Sequence, residues 1–118
     1  ATLEHVLTED AYKHMIPLAE TFEKDVQSIM QKYSLPWHVT RVGCRVEYLF
    51  REQVAKNGSE AMAGQDALLD PLIHLYMLNR GVLLTPFHNM ALMSPVTTEG
   101  HVKRHSEVLE GAVHTIIS

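Results

Sequence analysis

The chain has 118 residues, ten basic against fourteen acidic side chains and a formal charge of -4. Such a length supports one domain with one modest core, which buries roughly two-thirds of the surface the unfolded chain would expose. With 46% apolar and 20% charged residues the chain is not disordered. It has no like-charge block suited to a phosphate backbone, no apolar run long enough to span a membrane, and no signal-peptide pattern. A soluble, cytoplasmic protein that binds neither nucleic acid nor membrane is expected.

The opening stretch, "ATLEHVL", has Leu3, Val6 and Leu7 at helical spacing, with no capping residue and no initiator methionine. It reads as the end of a helix begun earlier, so the chain is expected to be a piece of something longer; a processed terminus would look the same. Thr8, followed by Glu9 and Asp10, is a good helix start. From it Tyr12, Met15, Ala19, Phe22, Val26, Ile29 or Met30, and Tyr33 recur at three- or four-residue intervals, which predicts an amphipathic helix. Pro17 inside it predicts a kink or restart near Ile16.

A short strand around Val39, ending near Gly43, precedes a clear period of two. Cys44, Val46, Tyr48 and Phe50 form one face of that second strand, with Arg45, Glu47 and Arg51 on the other. Residues 52–65 show no sustained period and read as a loop with a helical turn at most. Asp70-Pro71 reads as a cap followed by proline at the first helical position, and the helix stops at Gly81. Because it is apolar on most sides, this helix should be largely buried. Two short apolar runs, Val82–Leu84 and Met90–Met93, read as buried strands. Thr97 or Thr98 then caps a last helix with Val102, His105, Leu109, Ala112, Val113 and Ile116 as its buried stripe.

This order predicts an α+β fold, a small antiparallel sheet with helices packed on one face. The other face of the sheet has no element left to cover it and calls for a partner surface.

Chemistry is harder to find. Cys44 is the only cysteine, which excludes an internal disulfide and a multi-cysteine zinc site. Its place on the apolar face makes it a small core residue sooner than a nucleophile. His101 and His105 stand one helical turn apart, but Val102, Lys103 and Arg104 between them supply no carboxylate and no third ligand is near. Half-buried helix histidines are the plainer reading, and no metal site is expected. The five lysines, Lys13, Lys24, Lys32, Lys56 and Lys103, lie on predicted solvent faces or in the loop, away from any pocket that would lower an amine's pKa. No GxSxG elbow or glycine-rich phosphate loop occurs. The chain alone therefore holds no catalytic centre. "TPFHNMA", from Thr85 to Ala91, is either a tight connection between strands or a loop that presents binding residues.

Four stretches carry a family resemblance: "ATLEHVLTEDAY", "PWHVTRVGCRVEYLF", "LNRGVLLTPFHNMALMSPVTT" and the final helix. Their order and motifs resemble the C-terminal region of class III, pyridoxal-phosphate-dependent aminotransferases, most of all the glutamate-1-semialdehyde 2,1-aminomutase-like branch. The most specific pieces are the corner Arg41-Val42-Gly43-Cys44, where the family usually has serine last, and Gly81-Val82-Leu83-Leu84-Thr85-Pro86. The resemblance covers essentially residues 1–118 and implies the single small C-terminal domain of a fold-type I transferase. It also implies a missing large domain that holds the pyridoxal 5'-phosphate, a homodimer, and a small-molecule amino donor and carbonyl acceptor. The internal-aldimine lysine and the cofactor-binding groups precede the matched region, so neither cofactor nor activity is expected of this piece by itself.

The resemblance further places the loop after the Gly-Val segment at the substrate pocket, with Phe87, His88, Asn89, Met90 and Ala91 lining or supporting it. In the aminomutases a glutamate of this loop recognises the substrate amino group and aligns with Met90. A methionine there points to an aminotransferase acting on an apolar amino acid, a β-amino acid or an amine, with the aminomutase as the alternative. From another class, a non-enzymatic α+β binding or dimerisation module fits the uncovered sheet face.

Overall fold

A computed structural model describes residues 2–54, 56–63, 66–85 and 88–118. A short turn of helix, α1 (Thr2–His5), leads into the long α2 (Glu9–Lys32). The Thr8 hydroxyl accepts the Ala11 N–H at 3.2 Å and caps α2, with Glu9 and Asp10 in its first turn. Its stripe of Met15, Leu18, Ala19, Phe22, Val26, Ile29 and Met30 is buried. The expected restart at Pro17 is not found, since α2 is one helix across it. In the helix interior this proline forfeits one hydrogen bond, and the buried stripe on either side holds the helix together.

β1 (His38–Val42) and β2 (Arg45–Leu49) form a hairpin through Gly43 and Cys44. Gly43 has φ +58, a left-handed conformation that costs glycine little. β3 (Met90–Leu92) adds antiparallel to β2, giving the order β1-β2-β3. The fold is the expected α+β layer. Val46 and Tyr48, both fully buried, and Ala91 face the helices, whereas Arg45, Glu47, Met90 and Leu92 share the opposite, uncovered face. Cys44 sits in the turn, half-buried, instead of leading the inward row.

α3 (Gly58–Ala63) is the short helix within the loop, and α4 (Leu69–Leu78) follows. Two expectations fail at α4. Its cap lies a turn earlier than Asp70: the Asp66 carboxylate accepts the N–H groups of Leu68 and Leu69. Asp70 in turn accepts the Asp66 N–H, and Pro71 follows near the start of the helix, its missing donor falling between the Asp70→Asp66 and Leu72→Leu68 backbone bonds. Nor is α4 largely buried. Ile73 and Met77 reach the core, but Leu72, Leu75 and Leu78 are 49%, 57% and 53% exposed. An all-round apolar helix buries only as many sides as it has neighbours, and α4 packs chiefly on α5.

Val82–Leu84 is also not a strand; it takes no part in the sheet and borders the same recess as β3. α5 (Glu99–Ile117) closes the core with Val102, His105, Val108, Leu109, Ala112 and Val113, while Ile116 is exposed. Thr98, not Thr97, is its cap.

Candidate substrate-loop site

The segment singled out in the sequence sits where β3 begins, and alternation along the strand divides its side chains between two faces. Phe87 lies outside the described residues. His88 and Met90 point to the uncovered face of the sheet, and Asn89 and Ala91 to the helix side.

Asn89 is only 3% exposed. Its Nδ2 donates to Asp70 Oδ1 at 3.1 Å, and its Oδ1 lies 3.1 Å from His74 Nε2. Its backbone oxygen accepts the Tyr48 N–H at 3.1 Å, which extends the β2–β3 ladder by one rung. One residue thus ties the strand entry to α4 through its side chain and to β2 through its backbone carbonyl, and a buried amide bonded at both ends has little capacity left for a ligand.

On the opposite face Glu47 is the direct cross-strand partner of Met90. Its Oε1 lies 3.1 Å from His88 Nδ1, and its Oε2 accepts from Arg45 Nη2 at 2.9 Å. Arg45 Nε in turn faces the Met90 sulfur at 2.7 Å. Arg45, Glu47, His88 and Met90 therefore form one contiguous cluster. Sequence reasoning found His88 and Met90 but passed over Arg45 and Glu47, reading them as solvent-facing strand residues. The period of two marked their face, and what was missing was the register that sets Glu47 opposite Met90.

Beside β3 an open recess of about 310 Å³ is bounded by Leu84, Thr85, Met90, Ala91, His101 and His105. A shallower one of about 770 Å³, lined by Gln31, Trp37, His38 and Glu52 among others, lies beyond the end of α2 and contains none of these residues. His101 and His105, the pair at metal-ligand spacing, do separate work. His101 Nδ1 accepts the Thr98 N–H at 3.1 Å while the Thr98 hydroxyl accepts the His101 N–H, a capping box with histidine in the usual glutamate position. His105 is buried beneath Tyr48. Among the described residues no group of three or more histidine, cysteine or carboxylate side chains could hold a metal, and no helix is long and apolar enough to cross a membrane. All five lysines are exposed.

Neither protein-family models nor curated proteins give a match to this chain. Solved structures do. A glutamate-1-semialdehyde-aminomutase from Pseudomonas aeruginosa PAO1 is 49% identical with a TM-score of 0.92, over 96% of this chain and 25% of that one. A lysine-to-alanine variant of a glutamate-1-semialdehyde-aminomutase from the same organism, in complex with PMP, gives the same values. An omega-transaminase from Sphaerobacter thermophilus shares the fold at a TM-score of 0.75 and 14% identity, over 95% of this chain and 26% of that one. The chain thus spans about a quarter of the length of the structures it matches.

Proposed function

Because the chain belongs to the class III pyridoxal-phosphate-dependent aminotransferases, in the glutamate-1-semialdehyde-aminomutase-like branch, we propose that it is the small C-terminal domain of an enzyme that moves amino groups. The observation that carries this reading is the match at 49% identity over nearly the whole chain. The parent is a cytoplasmic homodimer that transfers an amino group from an amino acid or amine to a carbonyl acceptor. Residues 1–118 contribute the substrate loop, with His88 and Met90 lining the pocket and Asn89 and Ala91 supporting it from the helix side.

The residues described here do not suit the cofactor itself. Every lysine is exposed, and none lies in the apolar or cation-rich setting that makes an amine a Schiff-base former. Pyridoxal phosphate, which supplies an electron sink when bound, therefore belongs to the larger part of the parent. This domain's share is shape and polarity at the loop. Met90 puts a thioether where the aminomutases carry a glutamate, so an ammonium group finds no ionic partner at that position.

Amino-group transfer from a panel of amino acids and amines to a 2-oxo acid, measured on the full-length parent, tests this. Transfer is expected with wild type, and Met90→Glu should shift preference toward substrates with a second amino group. An unchanged profile in that variant would remove Met90 from the pocket. Stoichiometric cofactor binding by the isolated 118-residue chain would contradict the division of labour. Intramolecular amino migration is the second reading, favoured by the name of the 49% identical relatives. It is distinguished by turnover of a single substrate with no separate donor or acceptor.

A further inference from the structure

The cluster on the uncovered sheet face is turned in an informative direction. Glu47, its only anion, has both carboxylate oxygens occupied, one by His88 and one by Arg45, and its side chain is 15% exposed. Arg45 and His88 are 49% and 51% exposed. The carboxylate is therefore the inward hub, and a cationic donor faces out.

Arg45 is also poorly served as a donor. A guanidinium carries five N–H groups in a fixed fork that matches a carboxylate at two points. Here Nη2 is on Glu47, Nε is spent on the Met90 thioether, a weak acceptor, and Nη1 has no partner among the described residues. The arginines nearest it in sequence are engaged elsewhere. Arg41 reaches back over α2 to Glu23 at 2.7 Å, and Arg51 donates to the Glu60 carbonyl. A half-exposed ion pair adds little to stability, so Arg45 is not explained as a brace for the sheet.

We propose that Arg45 is the carboxylate-binding residue of a substrate subsite on this face, with Glu47 and His88 as positioning residues and Met90 as its apolar wall. The ligand is an amino acid or 2-oxo acid, and an amine without a carboxylate gains nothing from it. Glu47 aims the fork, and His88 holds the second oxygen of Glu47 so that the carboxylate cannot swing away. The inference rests on the reading of the parent as an amino-group-transferring enzyme.

The test compares two donors on the full-length holoenzyme, an amino acid and the amine that differs only by lacking its carboxylate. In Arg45→Met the KM for the amino acid should rise about tenfold or more, as loss of a charge-assisted hydrogen bond predicts, while the amine's kinetics stay put. Arg45→Lys, which keeps the charge but not the fork, should recover part of the loss. It also carries the comparison if Arg45→Met does not fold. Glu47→Gln should raise KM for the amino acid by less, with kcat retained. Equal effects on both donors, or none on either, overturn the subsite while the reading of the parent stands. Failure of wild type to transfer any amino group removes both.

Discussion

At the scale of single residues, His105 shows what burial does to an ionisable group. Its ring lies 4.3 Å from that of Phe22, and its Nε2 lies 3.2 Å from the Tyr48 hydroxyl. Burial pushes the imidazole pKa down to about 4 and the Tyr48 phenol up, so the two meet as a neutral pair. A histidine of the unfolded chain takes up a proton near pH 6.5, whereas the folded one resists until about pH 4. Stability from this group is therefore complete above about pH 6.5 and is lost as pH falls from there toward 4. Between pH 7 and pH 5 the loss should be about 2 kcal/mol. Thermal unfolding across that range should show it, and His105→Gln should flatten the dependence although its absolute midpoint falls. An unaltered slope in the variant would mean that other groups set the acid response. The stripe that placed His105 in the core was legible from its 3.6-residue period. Its partner, 57 residues away on a strand, was not, because periodicity gives faces and not neighbours.

At the scale of elements, local chemistry read best where it acts within one turn. Thr8 caps α2 as expected, and one of the two threonines proposed for α5 does the same. The choice between them is physical. Thr98 has a residue three places on whose side chain can answer, and Thr97 instead accepts the Ser94 N–H at 2.9 Å in the preceding turn. Thr98→Ala should cost about 1 kcal/mol in denaturant unfolding, the usual loss for a capping hydroxyl. His101→Ala removes the reciprocal bond to the Thr98 N–H and should cost no more than that. A loss near zero in both would show that packing of the α5 stripe, and not the box, sets where the helix starts. Val82–Leu84 and α4 were misread for one shared reason. Short apolar runs declare a preference to be buried, but a third strand pairing or a second packing surface must come from elsewhere in the fold.

At the scale of the whole molecule, the radius of gyration is 14.8 Å, a little above the roughly 13–14 Å of a compact chain this long. The extents of 46 × 32 × 23 Å describe a slab. In a slab fewer elements have neighbours on two sides, which is why α4 carries its leucines outward. Exposed apolar rows of this kind drive association. The 118-residue chain should therefore self-associate with rising concentration, as seen by light scattering. The double variant Leu72→Glu/Leu75→Glu should reduce that association with no more than about 0.5 kcal/mol change in stability for each site. Undiminished association in the variant would place the sticky surface on the open sheet face instead.

The amide of Asn89 also decides which residues meet across β2 and β3. Arg45 and Glu47 come from a hairpin closed by two residues, whereas His88 and Met90 arrive after a path that includes two helices and a long loop. What delivers them to the right rung is the side chain one place before β3, latched to Asp70 and His74 at the same time as its carbonyl takes the Tyr48 N–H. A slip of one residue would put Ala91 opposite Glu47 and turn Met90 into the core. The intervening loop can therefore lengthen or shorten while the latch counts the strand into place, so the distance along the chain between Glu47 and Met90 carries no information and the position of Asn89 carries nearly all of it.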